Sequence, residues 1–344
     1  HFFSFKDLTR GIAAVIEEPY QFFRNLLVEG FSTGFGETAM QLSPSLSWIA
    51  IVVCVTLVGR FARDWNLAAL VGVCFLYLAI FGRWQSAMIT LSSILIAVPI
   101  GVVGGLFLGI AAYRFQWVNL ALRPILDLMQ TVPVFAYLVP ILILFGFGPV
   151  AALVATVIYA MPPMARITIV ALSNVPKETT ELGRMTGCTP RQMLMKVYLP
   201  SARPGLMIGV NQVIMLSLNM VIIASMIGAG GLGYDVLTSL RRLDVGGGIE
   251  SGLAIVVLAI ALDRLSQAVA KITPYQNNVL TFRKLLLAIG GIVLLTYLAG
   301  QQWAWIQHYP KDWLLSLGNQ WSDWLAYINQ NYYDELETFK YFIL

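Results

Sequence analysis

Long apolar runs alternate with short polar segments along most of this chain. A helical membrane span needs ~20 mostly apolar residues, and fewer where flanking side chains reach the interface. On that scale the pattern predicts eight spans, at roughly 46–60, 66–82, 86–112, 128–147, 149–173, 205–228, 251–270 and 284–300, the second and last being short. Charge-free stretches such as 48–57 and 205–233 lie between clusters of Lys, Arg, Asp and Glu, as expected of spans and loops.

Orientation follows from the cations. With the N-terminus outside, 14 Lys and Arg fall on the inner side and 8 on the outer. The positive-inside rule therefore predicts both ends outside.

Some spans carry further marks. Gly101, Gly105 and Gly109 leave one face of the third span nearly bare, so another helix is expected to approach closely there. Pro133 and Pro140 in the fourth span, and Pro162 and Pro163 in the fifth, are expected to kink or break their helices. Broken helices inside a membrane are tolerated where they face protein or water, so two adjacent interrupted spans predict a conduit. Beyond 300 the chain is rich in aromatics, among them Trp303, Trp305, Trp313, Trp321, Trp324, Tyr327, Tyr332, Tyr333 and Tyr341. That tail reads as an interfacial amphipathic helix, as a docking surface for an extracytoplasmic partner, or as an aromatic cage for a cation.

Composition agrees with a bilayer as solvent: 58% of residues are hydrophobic, 12% are charged and the mean hydropathy is +0.74. Cys54, Cys74 and Cys188 are far apart and the two histidines, His1 and His308, lie near opposite ends, which argues against a disulfide framework, a metal site or a catalytic cluster. The net charge of +4 comes without a basic stripe interleaved with aromatics, so nucleic acid is not an expected partner. Residues 228–233 fit G-x-G-x-x-G, but they follow a membrane helix on the outer side, where a hairpin or a helix break at the conduit mouth is the expected role.

The longest inner loop, 173–204, is strongly basic. Between Pro176 and Pro190 it should form a short helix, then turn at Gly187-Cys188-Thr189, then start a second helical stretch with Thr189 as N-cap and Pro190 at N1. Two short helices joined by a glycine turn make a knob. Within it, Glu181-Leu182-Gly183, three residues, Gly187, nine residues, Val197, one residue and Leu199-Pro200 resemble the EAA loop of ABC importer permeases. Leu182 and Gly183 stand for the family's two alanines and Val197 for its isoleucine. The resemblance narrows at 124–148, at Asn211-Gln212, at Ala224-Ser225-Met226-Ile227, at Gly230-Gly231-Leu232-Gly233 and at Arg242-Leu243-Asp244, all similar to proline/glycine betaine ABC transporter permeases.

That resemblance covers about 86–270 and implies an all-α polytopic membrane protein with a type I ABC importer permease-like core. It divides the chain into an N-terminal extracytoplasmic segment with two spans (1–85), the core with its coupling loop (86–270), and an extra span with the aromatic tail (271–344), which looks like an addition. It implies import of a quaternary ammonium osmolyte in the cytoplasmic membrane. The implied partners are a separate ATPase subunit carrying ATP and Mg, an extracytoplasmic binding protein and a second permease copy. The coupling set would be Glu181, Gly187, Arg191, Val197, Leu199 and Pro200.

Candidates for the substrate path are Gln130, Thr131, Pro133, Asn211, Gln212 and Asn219, because polar groups inside a membrane face the bundle or water or bond between helices. Phe135, Tyr137 and Tyr159 offer π faces to a cation. An ion-coupled secondary transporter is the rival within transport, with Asp263 the acid inside the predicted spans. A membrane-bound enzyme is the rival from another class.

Overall fold

The computed structural model describes residues 5–33, 40–271, 279–307 and 309–332; Tyr333 and Tyr341 of the aromatic tail lie outside them. The chain opens with an amphipathic helix, α1 (Phe5–Arg24), and a wide turn. A two-stranded antiparallel ribbon follows, pairing β1 (Phe31–Thr33) with β2 (Met40–Ser43). The ribbon is the single departure from helix among the described elements. Gly30, at φ +82°, ends the preceding helix where any β-carbon would sit 2.6 Å from the Ser43 carbonyl oxygen.

The membrane part follows as α2 (Trp48–Ala62), α3 (Trp65–Ile80), α4 (Trp84–Arg114), α5 (Gln116–Thr131), α6 (Val134–Phe145) and α7 (Pro149–Ser173). Next come α8 (Lys177–Met185), α9 (Pro190–Met226), α10 (Leu232–Arg241), α11 (Val245–Lys271) and α12 (Val279–Gln302). The tail supplies α13 (Ala304–Gln307) and α14 (Gly318–Asn331). Helices α4, α7, α9 and α11, with the 283–302 part of α12, are long and apolar enough to cross a bilayer. The fourth predicted span is instead the pair α5 and α6, bent by 102°. Helices α2 and α3 have only 15 and 16 residues. They form a close hairpin, in which Asp64 accepts from the Leu67 N–H at 2.9 Å and caps α3.

Lipid removes most of the hydrophobic drive between helices, so close packing has to hold them together. The glycine face of α4 does this. A β-carbon on Gly105 would fall 2.6 Å from Met164 Cβ, and one on Gly109 would fall 2.4 Å from Thr168 Cβ, so α7 lies against bare backbone; Gly101 faces Val213 of α9. This packing also explains a correction. Helix α7 runs unbroken through Pro162 and Pro163, because the turns that carry them are pressed on α4, with Pro162, Met164 and Ala165 buried. Two buried hydroxyls of α7 bond within their own helix, Thr156 to the Ala152 carbonyl and Thr168 to the Met164 carbonyl, both at 2.8 Å. A second core joins the α2–α3 hairpin to α11 through Val71, Phe75, Leu78, Ala254 and Leu258.

Candidate functional site

The 173–204 loop forms a compact knob. Helix α8 ends on Gly187, whose φ of +75° permits a left-handed stop, with the Cys188 N–H donating to the Gly183 carbonyl at 3.1 Å. Thr189 then caps the next helix: its hydroxyl accepts from the Gln192 N–H at 3.4 Å, and Gln192 Oε1 accepts from the Thr189 N–H at 2.9 Å. Pro190 takes the first helical position. The expected second short helix is not separate. It is the start of α9, which continues for 37 residues through Pro200 and Pro204. A wide π turn at Met193–Tyr198 ends as the Leu199 N–H reaches back to the Leu194 carbonyl, just before Pro200, which has no N–H to place.

Gly183 is the point of closest packing in the knob. It is buried, and a β-carbon there would lie 2.6 Å from Met193 Sδ and 2.9 Å from Val197 Cγ2, so α8 lies directly on the π turn. Leu199 packs with Ala171, Leu172 and Ala202. Glu181, Gly187, Arg191 and Pro200 are exposed, beside the exposed apolar side chains of Leu182 and Met185. Arg114, Arg184 and Arg191 rim a cleft of about 630 Å³ between the knob and the end of α4.

Above the knob, α6, α7 and α9 converge. Tyr137 and Tyr159 pack on one cluster with Leu138, Ala155 and Met220, and the Tyr137 hydroxyl is buried without a partner. Pro133 stands at the 102° bend and caps α6. Gln130 and Thr131 close the last turn of α5, exposed, with the Thr131 hydroxyl donating to the Asp127 carbonyl at 3.0 Å. Phe135 is exposed on α6, apart from the Tyr137–Tyr159 cluster. On α9, Gln212 and Asn219 fall seven residues apart on one exposed stripe with Ile208, Met215 and Met226. Asn211 is turned off it, half-buried, and accepts from the Ser266 hydroxyl of α11 at 3.4 Å. Asp263 accepts from Gln267 one turn along, at 2.9 and 3.0 Å.

The end of the bundle away from the knob is closed by glycines. Gly228, Gly230 and Gly231 all have positive φ, and the break they make separates α9 from α10. The Gly148 N–H donates to the Ile227 carbonyl at 2.9 Å, and the buried Leu232 N–H donates to Thr90 Oγ1 at 3.0 Å. Under this loop lies a cavity of about 20 Å³, the size of one water, beside Thr90, Ser93, Thr156 and Ser217. Ser217 Oγ is buried without a partner. Reasoning from sequence missed this hydroxyl cluster; its signal was polar atoms spaced along otherwise apolar spans.

Residues 101–273 match the family described as "Binding-protein-dependent transport system inner membrane component". The trimethylamine N-oxide transport system permease protein TmoV of Ruegeria pomeroyi is 39% identical over 322 residues, covering 90% of this chain and 47% of that protein. The glycine betaine/proline betaine transport system permease protein ProW of Escherichia coli is 48% identical over 60% of this chain and 58% of its own length. The glycine betaine/carnitine transport permease protein GbuB of Listeria monocytogenes is 43% identical over 65% of this chain and 80% of its own. The chain thus spans about half the length of the first two relatives, and its likeness to TmoV reaches well past the 86–270 core, into regions where the sequence suggested an addition. The chain belongs to the binding-protein-dependent transport system inner membrane components, multi-pass helical proteins that are parts of transporters rather than enzymes.

Proposed function

We propose that this chain is the permease subunit of an ABC importer for glycine betaine, proline betaine or a related methylated osmolyte. A separate ATPase subunit, holding ATP and Mg, drives it, and an extracytoplasmic binding protein delivers the solute. The observation that carries the reading is the union of knob and lever in one helix. The exposed tip, with Glu181, Leu182, Met185 and Arg191, is the coupling surface; Val197, Leu199 and Pro200 join it to the bundle. From Pro190, α9 continues 37 residues, about 55 Å, to Met226 at the outer seal. A tilt imposed on the knob is therefore delivered to the Gly148–Ile227 contact without an intervening loop.

Two copies supply the conduit. The exposed stripe of α9 that carries Gln212 and Asn219 lacks a covering helix among the described residues, and a second copy placed there encloses a polar path. The Tyr137–Tyr159 cluster, packed on the Met220 face of α9, and the exposed ring of Phe135 on α6 offer π surfaces for a methylated ammonium group. On the outer face, Leu240, Leu243 and Val245 form an exposed apolar corner between α10 and α11, suited to a docking binding protein. The test is charge reversal, Glu181→Lys and Arg191→Glu, in the reconstituted transporter. Substrate-stimulated ATPase activity is expected to vanish while membrane insertion persists; unchanged transport overturns the reading.

A further inference from the structure

We propose a second solute site, outside the conduit, on the outer face of the chain: a cavity that binds a zwitterion bearing a methylated ammonium group. It encloses about 190 Å³ between the loop before α2, the start of α4 and the folded-back tail. A cavity of roughly 150 Å³ is enough for benzene, so a trimethylammonium head with a short acidic arm is accommodated. Trp48, Trp84 and Tyr309 line it, together with Gln85, Gln307 and Ser45 and the aliphatic residues at 27, 28 and 46.

The walls are tied in place. Trp48 and Tyr309 meet edge to face with ring centroids 5.0 Å apart, and Trp48 Nε1 donates to the Trp305 carbonyl at 3.1 Å. Gln307 Nε2 donates to the Ser45 carbonyl, and Ser47 Oγ donates to the Ile306 carbonyl. The tail therefore completes a pocket that the N-terminal segment and α4 leave open. Tyr309 Oη donates to the Trp313 carbonyl at 3.3 Å, which directs that hydroxyl to the tail's own backbone.

The chemistry of the lining selects the ligand class. Three aromatic rings attract a desolvated cation through their quadrupoles. No carboxylate lines the cavity among the described residues, so a bare cation gains no counter-charge. A zwitterion brings its own, and its carboxylate or N-oxide oxygen takes the remaining Gln307 amide proton and the Gln85 amide. Placement sets the site apart from the candidate path: no residue of α6, α7 or α9 lines it.

The identity of the solute rests on the function proposed above; the existence of the site does not. The experiment is equilibrium binding of radiolabelled glycine betaine and trimethylamine N-oxide to the full chain in its complex, in nanodiscs of choline-free lipid and without binding protein. Saturable binding is expected to include a component weakened about tenfold by Trp84→Leu and less by Trp84→Phe, and this component persists when Gln212→Ala with Asn219→Ala removes any contribution of the conduit. The isosteric 3,3-dimethylbutyrate, in which carbon replaces the nitrogen, is expected not to compete.

Equal competition by that isostere, whose trimethyl head carries no charge, overturns the proposal. So does binding indifferent to Trp84→Leu, binding lost through the α9 pair instead, or occupancy confined to nanodiscs containing phosphatidylcholine. Absence of solute binding in a complex that still imports the solute overturns this site alone. Failure of that complex to import any methylated ammonium solute strikes the function proposed above and leaves a measured binding isotherm standing.

Discussion

Arg83 Nη2 donates to Glu250 Oε2 across 3.1 Å, joining residues 167 positions apart at the ends of α4 and α11 that lie away from the knob. Their side chains are 22% and 8% exposed, so water screens the pair poorly. Glu250 Oε1 also accepts the Leu317 N–H at 2.5 Å, and Asp235 of α10 lies 3.6 Å from Arg83. One carboxylate thus binds the tail to the bundle. Glu250→Ala is expected to cost about 2–3 kcal/mol, with Asp235 limiting the loss, and to speed hydrogen exchange of the Leu317 amide and the first turn of α14. Glu250→Gln, which keeps an acceptor, should show a smaller effect in the same exchange experiment.

The glycine face of α4 gives a graded series. A β-carbon at Gly109 meets Thr168 Cβ at 2.4 Å and the Ala165 carbonyl oxygen at 2.7 Å, neither of which moves without α7. At Gly104 it meets Met161 Sδ at 2.9 Å, the far part of a flexible side chain. Gly290 of α12 has nothing within 4 Å. Gly109→Ala should therefore destabilise by about 1–3 kcal/mol, Gly104→Ala by less, and Gly290→Ala should be neutral or stabilising by up to about 1 kcal/mol. Thermal unfolding followed by detergent-phase fluorescence orders the three; equal midpoints for Gly109→Ala and Gly290→Ala would show that α4 and α7 do not meet there.

These residues also mark what the sequence could tell. The knob was legible because Gly187, Thr189 and Pro190 act within a few residues of themselves, and the close approach to α4 was legible from glycines at one helical spacing. The run through Pro162 and Pro163 was not, since local chemistry predicts a break and only the partner helix decides otherwise. The kink or break expected at Pro133 is there, as the 102° bend between α5 and α6, though nothing in the local sequence gives the size of the angle. The continuity of α9 through Pro200 was hidden because the π turn that prepares it has no sequence mark. The Arg83–Glu250 pair and the return of the tail over the outer face depend on contacts across most of the chain, which periodicity does not record.

Gly187 isolates backbone conformation from packing. Its φ is +75° and nothing lies within 4 Å of a β-carbon there, so substitution costs conformational energy alone. Gly187→Ala should cost roughly 1–2 kcal/mol, Gly187→Asn less, and Gly187→Val more. If the knob couples to an ATPase, stimulated hydrolysis falls least for Gly187→Asn, more for Gly187→Ala and most for Gly187→Val, while the helical content seen by circular dichroism stays constant. Equal coupling in all three variants would remove the turn from the coupling path.

The three amides in the apolar part of α9, Asn211, Gln212 and Asn219, separate into two classes. Gln212 and Asn219 share the exposed stripe, whereas Asn211 accepts a hydrogen bond from Ser266 at the contact with α11. Asn211→Leu removes that acceptor and should lower thermal stability by about 0.5–1.5 kcal/mol. Gln212→Leu and Asn219→Leu remove no partner among the described contacts, so stability should hold while transport falls. In a background lacking Cys54, Cys74 and Cys188, single cysteines at 208, 212, 215 and 219 should react with a membrane-impermeant thiol reagent, and those at 213 and 220, both fully buried, should not. Labelling at 212 and 219 that substrate protects places the conduit on this stripe. Labelling that ignores substrate at both positions assigns the stripe to a contact between copies, with the path elsewhere.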